Sequence, residues 1–257
     1  GHQEIMAAFA RNGNRVLFIE NTGVRMLGIQ DLSRIKKRLK NFFSGVNGMR
    51  EMSENIYVFS PLVLPFPYMK IAKWINHRFV LSVIEKWVKI MGFYNTIFWV
   101  FLPTPLSLDI LDNLDSKLVI YYCIDNFRVS SVAAEKIKKS EVVLLKRADA
   151  VFVTSRELYD YCSIYNPKVS FFPFAVNFRK FEDARLGENV IPAKLNNIKK
   201  PIIGYIGGIH KWIDLNLVKE IALKYPQYSL VMVGALHSNV SFLKEFKNIH
   251  YLGKFVH

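Results

Sequence analysis

Two consecutive glycines, Gly207 and Gly208, follow the apolar run Ile202–Ile206 and precede a helical stretch that opens at Asp214. A turn without Cβ atoms lets backbone N–H groups approach a phosphate closely, and a helix start beyond it adds favourable partial charge. His210 and Lys211 add side-chain donors. Gly234 ends the next apolar run. It suits a crevice at the carboxyl edge of a parallel sheet, where ligands of open α/β folds bind. The same residues also suit an ordinary tight strand–helix turn, and the pair has neither the GxGxxG nor the P-loop spacing.

A second group lies in Tyr121-Tyr-Cys-Ile-Asp-Asn-Phe127. Asp125 stands at the carboxyl end of an apolar run, where a carboxylate faces the cleft of an open sheet and can orient a hydroxyl. A helix cap or a turn explains it as well. His2 and Glu4 open the first helical stretch, and with a strand before them they would face the same edge. His77, His237, His250 and His257 have no ligand spacing, and Cys123 and Cys162 form no CxxC, so we expect no metal centre.

The third group is basic and aromatic. Arg34, Lys36, Lys37, Arg38 and Lys40 precede Phe42 and Phe43. Lys70, Lys73, Arg78, Lys86 and Lys89 interleave with Trp74, Phe79 and Trp87. The net charge is +14, and residues 1–100 hold 14 basic against 6 acidic side chains. Such helices suit an anionic lipid surface, and equally a core-facing helix with a solvated basic side. Nucleic-acid binding needs a reading element or stacking platform, and none is visible, so we expect no nucleic acid as partner.

Elements that position these residues follow from periodicity. Short apolar runs rich in β-branched and aromatic residues (15–20, 56–59, 96–102, 118–124, 150–154, 169–172, 202–206, 229–233 and 249–252) alternate with helical stretches at 4–12, 70–91, 132–147 and 215–225. Several runs are apolar throughout, as strands covered on both faces are. Strand and helix in alternation predict an α/β fold with parallel sheets. A polar, flexible stretch from Glu182 to Lys200 separates two Rossmann-like domains. We place the first at 1–185, a linker at 186–200 and the second from 201 to 257. The 51% hydrophobic and 22% charged content excludes a disordered chain. Two cysteines fit a reducing compartment. No signal peptide or 18-residue apolar run is present. The chain begins within a helical stretch and stops three strands into its second domain. We therefore expect a fragment that lacks the first strand and the later part of the second domain.

These pieces resemble, in order, the bacterial GT-B glycosyltransferases of the group-1, family 4-like type. They are Gly1–Met6 with Arg15–Gly23, Ser60–Pro67, Tyr121–Phe127, Ala148-Asp-Ala-Val-Phe-Val-Thr-Ser155, Phe172-Pro-Phe-Ala-Val-Asn-Phe178 and Gly204–Asp214. The resemblance implies transfer of a sugar, with retention, from a nucleotide-diphosphate donor to a glycan or lipid-linked acceptor. It implies no cofactor beyond the donor itself, and no metal. A peripheral place at the cytoplasmic membrane face goes with it. Gly207, Gly208, His210, Lys211 and Gly234 would meet the donor. Asp125 and His2 would serve the reaction, with Glu4 and Asn126 on the acceptor side. Asn126 stands where an acidic residue is expected, and the family's Glu-x7-Glu segment would lie beyond His257. The readings that compete are an anionic-polymer-binding module without activity and a nucleotide-sugar epimerase on the same fold.

Overall fold

The structure is a computed structural model that describes residues 2–20, 48–61, 70–127, 134–176, 178–187 and 191–255. The basic cluster at 34–40 with Phe42 and Phe43, part of the Ser60–Pro67 piece, and Asn177 lie outside the described residues. The chain divides into two compact units, Gly1–Val176 and Asn177–His257.

In the first unit α1 (His2–Arg11) leads into β1 (Val16–Ile19), then β2 (Met49–Ser53) and β3 (Ile56–Phe59). They form a three-stranded sheet in the order β1-β3-β2. β1 and β3 are parallel, with Val16 opposite Ile56 and Ile19 opposite Phe59. β2 runs antiparallel to β3. A two-residue turn, Glu54–Asn55, joins that pair, and Asn55 has φ of 62°. Asparagine tolerates this left-handed conformation better than most residues. Then follow α2 (Lys70–Ile90), β4 (Ile97–Val100), α3 (Pro105–Asn113), β5 (Leu118–Cys123), α4 (Ala134–Arg147), β6 (Ala150–Val153), α5 (Arg156–Ser163) and β7 (Val169–Phe171). β4 to β7 make a parallel sheet in sequence order.

Local chemistry starts two of these helices. Thr104 and Ser107 form a capping box: Ser107 N–H donates to Thr104 Oγ1 at 3.2 Å and Thr104 N–H donates to Ser107 Oγ at 3.0 Å, with Pro105 at the first helical position. Ser155 caps α5 by accepting from Leu158 N–H at 3.3 Å. Alternation along the strands sorts the core. Tyr121, Cys123, Val151 and Val153 face Leu111, Leu144, Leu145, Leu158 and Cys162 from α3, α4 and α5. Burying side chains such as Leu144 and Leu145 contributes roughly 1.5–3 kcal/mol each. Phe59, Val80, Leu81, Ile84 and Ile110 make a second core between β3, α2 and α3. The Asn166 amide donates to Leu145 O (2.7 Å) and Ala148 O (2.8 Å) and accepts from Lys168 N–H (2.8 Å), so one side chain clasps the end of α4 to the start of β7.

The second unit contains α6 (Phe178–Arg185), a 3-10 turn (Ala193–Leu195), β8 (Ile202–Ile206), α7 (Leu215–Lys224), β9 (Ser229–Val233), a 3-10 turn (Ser241–Leu243) and β10 (Ile249–Gly253). Its sheet is parallel, in the order β10-β9-β8. Its core joins Leu230, Met232 and Ile249 on the strands to Ala222 on α7 and Ile209, Val240 and Leu243 in the loops. The α/β architecture with parallel sheets is the one that the sequence predicts, with β2 as the antiparallel strand among those described. Part of the stretch read as flexible is helical: α6 reaches Arg185.

Candidate functional site

Each unit gathers chemistry at the carboxyl ends of its parallel strands, and each is described by itself. In the first unit, His2 opens α1 half-buried, its ring 3.9 Å from Phe101 and edge-on to Tyr122 at 6.4 Å. Its Nδ1 is buried without a hydrogen-bond partner among the described residues. Desolvation by burial pushes the imidazole below its usual value, while the Asp125 carboxylate pulls it back up. Asp125 is exposed just past β5, and its loop is pinned to β6 by Thr154 Oγ1 donating to Ile124 O at 3.2 Å. Glu4 is exposed in the first turn of α1. Asn126 Nδ2 donates to Glu157 Oε1 at 2.8 Å and so ties the same loop to the first turn of α5.

Around His2 lies a layer of rings that the sequence reading did not single out. Trp99, Phe101, Tyr122, Phe152 and Phe172 share the sheet face opposite the one packed on α3, α4 and α5, with centroid separations between 5.4 and 6.4 Å. Such tilted and edge-on contacts are the favoured aromatic geometries. Trp99 Nε1 is a second buried donor without a partner among the described residues. Tyr122 O–H donates to Phe172 O at 3.2 Å, and burial raises its pKa. The signal was present: the β4–β5–β6 register puts 99 and 101, 122 and 152 on one face once the strands are paired. A further polar group sits at the ends of β1 and β3. Glu20 accepts from Arg50 at 3.0 Å and from Ser60 Oγ at 2.6 Å.

In the second unit the glycine turn is packed from within. A Cβ on Gly207 would stand 2.9 Å from the Tyr205 hydroxyl, which donates to Gly208 O at 3.0 Å. A Cβ on Gly208 would stand 2.7 Å from His210 Nε2, and one on Gly234 only 1.9 Å from Gly207 O. The glycines thus admit this chain's own atoms. The amides of Gly207, Ile209 and His210 donate to Val233 O, Ala235 O and Gly208 O. Asp214 Oδ1 accepts from the amides of Asn216 and Leu217 at 3.0 Å each, so the start of α7 is capped by its own side chain. Among the described residues, none accepts from the amides of Gly208, Lys211 or Trp212. Beside them stands a stack of three rings: Trp212 on His210 (4.1 Å, 17°) and His210 on His237 (4.0 Å, 9°). Trp212 is exposed, as is Lys211. The sequence sets His237 aside for want of ligand spacing. The pairing of loops after adjacent strands brings it to His210.

Desolvation within the stack, and after it the neighbouring His237, push His210 below its usual value of 6.5. His2 is shifted the same way. A folded-state value below the unfolded one gives stability that is present above about pH 6.5 and is lost as pH falls through the folded value. Melting temperature is therefore expected to drop between pH 7.5 and pH 5. His210→Gln should flatten part of that slope, and an identical slope in the variant would remove the stack as its source.

Among the described residues, no three His, Cys, Asp or Glu side chains are grouped to hold a metal ion. No protein-family description and no curated protein matches the chain. Solved structures do. Sucrose-phosphate synthase from Thermosynechococcus elongatus is 15% identical with a TM-score of 0.59, over 94% of this chain and 71% of that one. HepE from Anabaena, solved in complex with UDP and glucose, is 13% identical with a TM-score of 0.52, over 95% of this chain and 70% of its own. At such identities the likeness speaks for the fold, and it covers nearly every element described above: the chain has the GT-B fold of glycosyltransferases.

Proposed function

We propose that this chain belongs to a glycosyltransferase that moves a sugar from a nucleotide-diphosphate donor to an acceptor hydroxyl, with retention of configuration. The observation that carries the reading is the likeness in fold, over 95% of the chain, to a protein solved with UDP and glucose. The donor-side chemistry is consistent with it. The amides of Gly208, Lys211 and Trp212, together with the Lys211 ammonium, offer donors to a diphosphate at a carboxyl sheet edge. Preorganised donors of this kind stabilise the charge that develops on a leaving phosphate. The start of α7 is satisfied by Asp214, so the anion is met by the loop and Lys211 rather than by the helix end. In the first unit, Asp125 and His2 hold and orient the acceptor hydroxyl. The bond from the anomeric carbon to the diphosphate breaks, the bond to the acceptor oxygen forms, and the proton passes to a donor phosphate oxygen. The acceptor is a glycan or a lipid-linked sugar.

The test is a panel of UDP-, GDP- and dTDP-sugars offered to the full-length protein with EDTA present, with turnover and nucleotide affinity both measured. Turnover with at least one donor is expected, and no turnover and no binding with any donor would overturn the reading. Gly207→Val is a poor probe, because it strikes Tyr205 whether or not a donor binds. Lys211→Ala is the better one. Loss of a charge-assisted hydrogen bond is worth about 1.5–3 kcal/mol, so the donor Kd should rise by roughly 10- to 100-fold. Asp125→Ala should depress turnover while leaving donor affinity in place.

A further inference from the structure

The reaction proposed above needs the Asp125 carboxylate held still, yet Asp125 lies outside regular structure. It follows the end of β5 by two residues and is exposed. Among the described residues, no group donates a hydrogen bond to its carboxylate. A side chain on a free loop would give up several orientations on meeting a ligand, at a cost in entropy.

The loop, however, is fastened on either side of Asp125. The backbone ladder between β5 and β6 ends at Cys123 opposite Val153, both fully buried. One residue further on, a side chain takes the place of a backbone bond: the half-buried Thr154 donates from Oγ1 to Ile124 O at 3.2 Å. Just past Asp125, Asn126 Nδ2 donates to Glu157 Oε1 at 2.8 Å. Glu157 is exposed on the first turn of α5, which is anchored in the core by Leu158 and Cys162. Inside the loop, Phe127 N–H donates to Asp125 O at 3.0 Å. The residue before Asp125 is thus tied to the end of a packed strand, and the residue after it to the start of a packed helix. Such anchors restrict the backbone of Asp125 and leave its carboxylate to the ligand, as support behind a reacting group must. We infer that Thr154 and Glu157 are positioning residues for the transfer: they hold the loop in the one arrangement from which Asp125 orients the acceptor hydroxyl, with Asn126 as the link to Glu157. The inference rests on the reaction and on the role of Asp125 proposed above.

Thr154→Val removes the hydroxyl at nearly constant volume, and Glu157→Ala removes the acceptor from an exposed position. In the full-length protein each should lower nucleotide release from the sugar nucleotides of the panel above by roughly 3- to 10-fold, the range that one lost hydrogen bond allows, with donor Kd unchanged. Thr154→Ser and Glu157→Gln keep the donor and the acceptor and should restore most of the rate. A double-mutant cycle separates positioning from stability. In an Asp125→Ala background, Thr154→Val and Glu157→Ala should each change turnover by less than about twofold, because the group they act through is gone. Backbone order parameters of residues 125–127, measured without any ligand, should fall from about 0.85 to below about 0.6 when both anchors are removed. Circular dichroism with a melting curve checks that each variant is folded. A folded double variant whose loop is as ordered as the parent's overturns the inference, whatever the reaction. Full-sized losses in the Asp125→Ala background overturn it too, as does unchanged turnover in variants whose loop has loosened. In both cases a rate lowered by Asp125→Ala alone leaves the role of Asp125 standing. Turnover of no donor at all strikes the reaction itself, and the inference with it.

Discussion

Gly234→Ala is expected to unfold the second unit under conditions where the parent is folded. Its Cβ would stand 1.9 Å from the Gly207 carbonyl oxygen, which is backbone and cannot swing aside, and φ at this position is +144°. Separating β8 from β9 there also strains the bonds from Gly207 N–H to Val233 O and from Gly234 N–H to Gly253 O, both 2.9 Å. Backbone strain at a glycine-only conformation costs of order 1–3 kcal/mol, and overpacking adds a similar amount, so the total is roughly 3–5 kcal/mol. Gly253→Ala is the comparison. It too has positive φ, +73°, yet a Cβ would meet nothing within 4 Å. Its cost should stay near the 1–2 kcal/mol of left-handed strain alone. Amide hydrogen exchange in β8 and β9, read beside the denaturant midpoint, separates the two. Similar losses in both variants would refute the close-approach account.

Glu141→Ala should be nearly as damaging to the first unit. Glu141 projects from α4 into the core and is fully buried. Its carboxyl oxygens accept from Tyr121 O–H at 2.6 Å and Tyr161 O–H at 3.2 Å, with Cys123 Sγ 3.8 Å away. Burial, first of all, lifts the Tyr121 pKa well above the usual range, so its phenol remains a donor. Removing the acceptor takes a hydrogen bond from two buried hydroxyls, at about 1–3 kcal/mol each, and opens a cavity, for a loss of roughly 3–5 kcal/mol. Glu141→Gln keeps shape and acceptor and should cost about 1–2 kcal/mol. Replacing the whole group, by Glu141→Leu with Tyr121→Phe and Tyr161→Phe, should recover much of the loss, because the hydroxyls that bond to the carboxylate go with it. A triple variant as unstable as Glu141→Ala would show that volume, not hydrogen bonding, dominates here.

Much of the fold was legible because its strands are dense in β-branched and aromatic residues. Ile56–Phe59, Ile202–Ile206 and Ser229–Val233 begin and end where the apolar runs do. Long helices were equally plain. α2 spans Lys70–Ile90 and stops at Gly92, whose φ is +61°. β2 escaped notice because Met-Arg-Glu-Met-Ser buries only its first residue and owes its strand form to pairing with β3. The short helices α3, α5 and α6 were missed because eight or nine residues carry little periodicity. The caps at Thr104 and Ser155 were their best signal, read only with the strand ends in view. Of the candidate site, Asp125 and the glycine turn could be found because they sit directly at run ends. The aromatic layer and the partnership of His210 with His237 depend on which strands are neighbours, information that one chain's periodicity does not hold.

The ring stack joins loops that leave separate strands and lie far apart along the chain. His237 also donates its amide to Ile209 O at 2.9 Å, so backbone and rings fasten the same two segments. A molecule arriving against the indole would thus be felt at both loops, because rings and backbone bind them to one another.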